Sequence, residues 1–250
     1  MKKNILITAG GTSEPIDSVR TITNTGTGTL GSMIADEFAR YEEVGTIFYV
    51  HGHGAVLPKT PKAELLEIGS VEQLKICIET LLDREHIDVI IHSMAVSDYN
   101  VSSVLTAETL YECARKAASA EEMLEAMKAA DIRTGDKKLS SHMGTPVLLL
   151  GETPKVIHIF REKAPEAVIV GFKLLNNVSY EELIDVGYAL LQKNDCDYVL
   201  ANDYVTVAAG RHTGHLIDRQ KQVGTYVGKD GIAAGIAHTL LDIPEPASEL

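Results

Sequence analysis

Tryptophan is absent, and aromatic residues make up only 5% of the 250-residue chain. The core must therefore be aliphatic, and there is no aromatic platform on which single-stranded nucleic acid could stack. Cations are also short: Lys and Arg total 23 against 35 Asp and Glu, a formal net charge of −12. No Lys/Arg cluster interrupts that balance, which argues against a phosphate-tracking nucleic-acid surface. A small anionic ligand, which needs only a few local donors, remains compatible with it. The three cysteines, Cys77, Cys113 and Cys196, are odd in number and form no CxxC. That fits a reducing compartment and speaks against a disulfide framework; Cys77, on the apolar side of an expected helix, reads as packing. No apolar run is long enough to span a bilayer. The run after Lys2-Lys3 resembles the start of a signal peptide but meets Gly10-Gly11 at once. The expectation is a cytoplasmic protein with neither nucleic-acid nor membrane partners.

What is present is globular: 45% of residues are apolar, enough for one large core. Ile5–Thr8 reads as a first strand, Thr46–Val50 as a second ending in His51-Gly52-His53-Gly54, Leu65–Ile68 as a third, and Asp88–Ser93 as a buried fourth. Between them a helix is expected from about Gly28 to Arg40, burying Leu30, Ile34 and Phe38. A second opens on Ser70 with Gln73, a capping box, and repeats Val71, Leu74, Ile78, Leu81 and Leu82 at helical spacing. This alternation predicts a doubly wound parallel sheet, in which ligands sit beyond the carboxyl ends of the strands.

Residues 100–145 break the pattern and read as a flap and mobile loop outside the core. They hold a capping box at Ser119 and Glu122, a face of Met123, Leu124, Met127 and Ala130, and the polar stretch Thr134–Ser141. The core is expected to resume with a strand at Val147–Leu150 and a short helix capped by Thr153-Pro154. A strand at Val168–Lys173 follows, then a helix opened by Ser179 and Glu182 with Leu183, Val186, Gly187, Leu190 and Leu191 inward, and a strand at Tyr198–Ala201. Val205–Val227 reads as β-hairpin, Asp230–Leu241 as a last helix, and 244–250 as a tail. The expected organisation is one domain over 1–243.

The chemistry concentrates near the N-terminus. Ala9-Gly10-Gly11-Thr12 follows the first strand, where glycines serve either close ligand approach or a plain tight turn. GxGxxG is missing, and Glu14-Pro15 blocks the helix that a dinucleotide site needs directly after the turn. A loop rich in Gly and Thr comes next, with Arg20 and Asn24 preceding Thr25-Gly26-Thr27-Gly28-Thr29. Its backbone N–H groups and hydroxyls can meet an anion without net positive charge.

Ala9 through Asn24 to Gly31 resembles the AGGTxEPxDxVRxIxN signature and Ser/Gly run of phosphopantothenate–cysteine ligases. Met94-Ala95-Val96-Ser97-Asp98-Tyr99 resembles that family's AAVADY, Lys138-Leu139 its loop Lys-Ile, Val170-Gly171-Phe172-Lys173 its GF segment, and Ala201-Asn202-Asp203 its AND. The matches run in order from residue 4 to about 218. Thr29 stands where the family has Lys, and the stretch between Asp98 and Lys138 is longer than in the bacterial fusion form. The resemblance implies a Rossmann-like, doubly wound, mostly parallel sheet with a β-rich flap for two-fold dimerisation. It implies a stand-alone ligase that activates 4′-phosphopantothenate with CTP or ATP and Mg²⁺ and then joins it to cysteine. Carried onto this chain, it makes Asn24 and Lys138 catalytic. Gly10, Gly11, Ala95, Asp98, Phe172 and Asn202 would hold the nucleotide. Arg20, Thr27 and Gly28 would hold the acid substrate, with Arg20 reaching the neighbouring subunit's site. Bacterial members usually take CTP and eukaryotic ones ATP; Phe172-Lys173 resembles the ATP-using branch.

Two other classes compete: an NAD(P)-binding oxidoreductase, which lacks both GxGxxG and a Tyr-x-x-x-Lys pair, and a non-catalytic nucleotide-binding module. His51-Gly52-His53 and His212-Thr213-Gly214-His215 lack the spacing of a zinc site and read as loop histidines. Ser93 and Ser97 lack a nucleophile elbow.

Overall fold

Side chains of a strand alternate between the two faces of its sheet. In β1 (Lys3–Ala9) both faces are buried: Ile5, Ile7 and Ala9 enter one core and Leu6 the other. That is why the segment is a continuous apolar run. A small hairpin, β2 (Ser13–Pro15) and β3 (Thr21–Thr23), precedes α1 (Thr29–Phe38), β4 (Val44–Gly52), β5 (Ala63–Ile68), α2 (Val71–Arg84) and β6 (Val89–His92). An excursion follows with β7 (Tyr99–Thr106), α3 (Ala107–Lys116), α4 (Ala120–Ala129) and β8 (Pro146–Glu152). The chain then continues through α5 (Ile157–Lys163), β9 (Val168–Leu175), α6 (Tyr180–Lys193), β10 (Tyr198–Asp203) and α7 (Tyr204–Ala208). It ends with β11 (Thr213–Asp218), β12 (Val223–Val227) and α8 (Gly228–Leu241). This computed structural model describes residues 2–133, 137–208 and 210–242; the tail expected at 244–250 and residues 134–136 of the expected loop lie outside them.

Eight strands form one sheet in the order β12-β11-β10-β9-β6-β1-β4-β5. The strands from β5 to β10 pair in parallel, and β11 and β12 add an antiparallel edge. Helices α1 and α8 cover one face; α2, α5 and α6 cover the other. The chain moves outward from β1 to β4 and β5, then returns to place β6 on the opposite side of β1. That reversal opens a crevice above the carboxyl ends of β1 and β6. In α2 the expected capping box is present, with Gln73 N donating to Ser70 Oγ, and the five expected residues are the ones buried.

Several expectations change. Val147–Leu150 is a strand, but it pairs with β7 instead of rejoining the main sheet. Its residues alternate half-buried and exposed along a ribbon, so the apolar run does not mark core. Thr153 caps no helix: its N–H donates to Asp98 O and its hydroxyl to Ser97 O, and α5 starts only at Ile157. The expected hairpin begins only at Thr213: Tyr204–Ala208 is a short helix, and β11 and β12 extend the main sheet through β10. His51 is the buried end of β4, stacked on Tyr49 at 6.0 Å, while His53 is an exposed partner of Glu67. Helix α4 buries no residue. In α6 Ile184 is buried, while Val186 and Leu190 are half-buried.

Candidate functional site

Three loops are stitched into one floor at the reversal. Ala95 N donates to Gly10 O (2.8 Å) and Thr12 N to Ala95 O (3.2 Å). Asn24 N donates to Thr12 O (3.1 Å), Gly26 N to Asn24 O (2.9 Å), and Ser97 N to the fully buried Thr12 hydroxyl (2.9 Å). The glycines of the first turn are what permit this. Gly10 has φ +84°, and a Cβ on Gly11 would lie 1.9 Å from Asn24 O. Glu14 anchors the floor to α2, its buried carboxylate accepting from Val71 N at 2.8 Å. Burial pushes the Glu14 pKa up, against the pull of that bond. Ser93 and Ser97 spend their hydroxyls on Thr8 O and Tyr99 O, both 2.7 Å.

Above the floor lies a cavity of about 1010 Å³. Seven of the residues singled out by sequence line it: Gly10, Thr27, Gly28, Ala95, Asp98, Phe172 and Asn202. Gly28 caps α1 with φ +70° and has no side chain to satisfy the helix N–H groups. Those donors and the Thr27 and Thr29 hydroxyls, 3.0 Å apart, belong to residues that line the cavity, an arrangement of the kind that can accept an anion. Leu30, expected in the core, is half-buried on the cavity wall.

The remaining four residues stand outside that lining. Gly11 lies beneath it, against Asn24 O. Asn24 is half-buried at the edge of the floor, next to the lining residue Thr25. Arg20 sits in the β2–β3 turn, paired with Asp17 and donating to Leu139 O at 3.0 Å. Asp17 in turn accepts from Leu139 N at 3.0 Å, and the Arg20 guanidinium holds the Asp17 carboxyl well below the usual carboxylate range. Leu139 is thereby buried against Val101 and Val104, with Ile16 and Ile22 beside it. Its neighbour Lys138 is exposed and away from the cavity.

Cations are short in the chain as a whole but not at the cavity. Lys155, Lys173, Lys193 and Lys229 all line the cavity. They come from four separate elements or loops, so no cluster shows in sequence. Lys155 pairs with Asp98 across the rim. The other three make no ion pair among the described residues. The sequence signal that could have found three of them is position: Lys155, Lys173 and Lys229 lie just past or near the end of a strand, whereas Lys193 is the last residue of α6, which runs back toward the amino end of β10.

His92, at the end of β6, is buried on the same wall, bonded to the Thr8 hydroxyl (2.8 Å) and edge-on to Phe160. Burial pushes its pKa down to about 4. The folded protein thus keeps His92 neutral where the unfolded chain, near 6.5, takes a proton. Its contribution to stability is complete above pH 6.5 and is lost as pH falls toward 4, up to about 3 kcal/mol. Urea titrations at pH 7 and 4.5 are expected to show a smaller difference in His92→Asn than in the parent.

Among the described residues, no group of three His, Cys, Asp or Glu is placed to hold a metal. Among the described residues Asp98 is the one carboxylate that lines the cavity, and it is paired with Lys155. This donor set fits a Mg²⁺ that arrives on substrate phosphates rather than one held by the protein.

Residues 1–132 match the family model described as DNA/pantothenate metabolism flavoprotein C-terminal domain. The coenzyme A biosynthesis bifunctional protein CoaBC of Thermococcus kodakarensis is 31% identical over 202 residues, 80% of this chain and 41% of that protein. CoaBC of Methanocaldococcus jannaschii is 29% identical over 80% of this chain and 40% of its own length. The chain therefore spans about two fifths of these curated relatives. The crystal structure of the DNA/pantothenate metabolism flavoprotein from Streptococcus pneumoniae is 32% identical, with a TM-score of 0.80 over 97% of this chain and all of that one. A Cab2 variant in complex with phosphopantothenate-cysteine shares the fold at 16% identity, TM-score 0.67, over 96% of this chain and 88% of its own.

Proposed function

The chain belongs to the DNA/pantothenate metabolism flavoprotein C-terminal domain family, and from that premise we propose that it joins 4′-phosphopantothenate to L-cysteine. The observation that carries this reading is the cavity at the β1–β6 reversal. In a protein of net charge −12 it gathers an open helix start and three lysines that make no ion pair among the described residues. Such a site suits a polyanion.

The acid's carboxylate attacks the α-phosphorus of the nucleotide and pyrophosphate leaves, giving an acyl-nucleotidylate. The cysteine amine then attacks the acyl carbon, loses a proton, and nucleoside monophosphate departs. Neither step needs a nucleophilic side chain. Both need positioning and neutralisation of negative charge. Lys173 and Lys193 face the triphosphate and stabilise departing pyrophosphate, Mg²⁺ entering on those phosphates. Ala95, Asp98 and Phe172 hold base and ribose, with Gly10 and Gly11 shaping the floor and Asn202 the far wall. Thr27 and Gly28, at the start of α1, bind the acid substrate. CTP is the proposed nucleotide, with ATP the alternative. The setting is cytoplasmic coenzyme A synthesis.

A homodimer completes the site. Tyr99, Leu148 and Leu150 leave large apolar side chains exposed on the β7–β8 ribbon, as a pairing surface does. Arg20 lies outside the cavity of its own protomer, on a turn packed against that excursion, which supports its reaching the partner's substrate phosphate. Lys138 acts by a loop movement that brings it over the triphosphate.

The deciding experiment is pyrophosphate release measured with CTP and with ATP, each with and without phosphopantothenate. Release that requires phosphopantothenate and is faster with CTP is expected; release indifferent to phosphopantothenate removes the ligase reading. In the same assay Lys138→Ala is expected to slow pyrophosphate release by about tenfold, while Lys137→Ala changes it little. Equal effects at the two positions leave Lys138 without a role.

A further inference from the structure

The far wall of the cavity carries a second set of donors that the sequence motifs do not mark. Asn202, at the end of β10, is buried, and its side-chain amide donates to His212 Nε2 at 3.0 Å. Gly228 N, at the start of α8, donates to His212 O at 2.7 Å, so the residue is held from two sides. Only 9% of His212 is exposed, and its Nδ1 has no partner among the described residues. With Nε2 acting as acceptor, the proton of the neutral ring resides on Nδ1. A buried N–H without an acceptor is a costly state that a ligand oxygen relieves.

Lys229 lies on the same cavity wall, half-buried and without an ion pair among the described residues. Burial and the nearby Lys229 charge both keep the His212 ring below its ordinary pKa, so the ring is a neutral donor. Lys229 is also the second residue of α8, a 14-residue helix whose N-cap, Val227, makes no side-chain cap. An ammonium near enough to act on the imidazole and an unpartnered imidazole N–H therefore share this wall at the start of α8, whose first turn also carries the exposed Asp230; among the described cavity-lining residues Asp98 is the one carboxylate.

We propose that His212 Nδ1–H and the Lys229 ammonium, with the α8 N–H groups that follow Gly228, form a subsite for a phosphoryl group, with Asn202 holding the His212 tautomer. The chemistry is that of phosphate oxygens accepting charged and neutral N–H donors. Two sources supply it in the proposed reaction, on which the identity of the ligand rests: the polyphosphate of the nucleotide and the phosphomonoester of the acid substrate.

Calorimetric titration of the full chain and of Lys229→Met, Lys229→Arg and His212→Leu separates them. The probes are inorganic tripolyphosphate, CTP, phosphopantothenate and pantothenate. If the nucleotide tail occupies the subsite, Lys229→Met and His212→Leu each weaken tripolyphosphate and CTP by tenfold or more and spare phosphopantothenate. If the phosphomonoester occupies it, phosphopantothenate weakens by tenfold, pantothenate is unchanged and CTP is spared. Lys229→Arg is expected to restore most of the affinity in either case. Two-bond ¹⁵N–¹H correlation spectra of the parent are expected to show His212 as the Nδ1–H tautomer, with that nitrogen shifting on addition of the bound probe.

Should His212→Leu fail to fold, the half-exposed Lys229 carries the titration alone. All four probes binding Lys229→Met within twofold of the parent would overturn the subsite, as would an Nε2–H tautomer or a parent that binds no phosphate. The ligase reading fails separately, by pyrophosphate release indifferent to phosphopantothenate. Loss of tripolyphosphate binding in Lys229→Met would uphold the subsite even then.

Discussion

Gly11→Ala is expected to leave a folded but weakened protein that forms product at least about a hundredfold more slowly. The added Cβ would stand 1.9 Å from Asn24 O, 2.9 Å from its carbonyl carbon and 3.2 Å from Gly26 N. All three are backbone atoms, so no side chain can turn aside and the 24–26 segment has to move. Overpacking of this kind costs about 1–3 kcal/mol of stability. A shift of about 1 Å in a residue that positions reacting groups costs on the order of 10² in rate. Gly54→Ala is the control. Gly54 has φ +74° with nothing within 4 Å of the added carbon, so it pays only the backbone cost of about 1–2 kcal/mol and keeps its rate. Urea denaturation and product formation, measured on both variants, check the pair. Full activity in Gly11→Ala would show that the floor tolerates displacement of Asn24.

Asn24→Asp is expected to separate the two half-reactions. The amide side chain can donate to the acyl oxygen as well as accept, whereas a carboxylate only accepts and carries a like charge toward the acyl-phosphate. Loss of one such donor costs roughly 10²–10³ in rate. Nucleotide and acid still bind through the cavity lysines and the start of α1, so pyrophosphate should appear as a burst of about one equivalent and then stop. Amide formation, followed by product mass, should fall by roughly 10²-fold or more. Normal turnover in Asn24→Asp would remove Asn24 from the chemistry. Because Asn24 stands beside the cavity lining and not in it, the experiment also tests whether the 24–28 loop closes on the ligand.

Much of the architecture was legible because local rules and the fold agree. The α2 segment is the clearest instance: Ser70 and Gln73 set its start, and Val71, Leu74, Ile78, Leu81 and Leu82 are both the periodic residues and the buried ones. Apolar runs without periodicity were not decisive. Ile5–Ile7 and Val147–Leu150 look alike in sequence, yet one lies at the centre of the sheet and the other on an exposed ribbon. What separates them is the strand each pairs with, and that is a property of the whole chain.

Glu14 and Asp17 illustrate the same limit inside the motif. Sequence marks both as part of one signature, but Glu14 turns inward to satisfy the first N–H of α2, and Asp17 ties Arg20 to Leu139. Each acts on a partner more than fifty residues away. Thr153 reads as a helix cap and instead fastens the Ser97–Asp98 loop, because a hydroxyl bonds whichever backbone group the fold brings near.

The sequence by itself determined the alternation of buried strands and helices and the Gly10-Gly11 turn with its Gly/Thr loop. Both follow from side-chain periodicity, composition and backbone freedom over a few residues. Only the tertiary structure decided where the charge goes. Lys155, Lys173, Lys193 and Lys229 are dispersed along 75 residues of an acidic chain, and the fold brings them to one cavity, Lys193 from the far end of α6 and the other three from segments that follow or end strands. The buried Asn202–His212 pair arises in the same way, since two residues ten apart meet only when β11 folds back along β10.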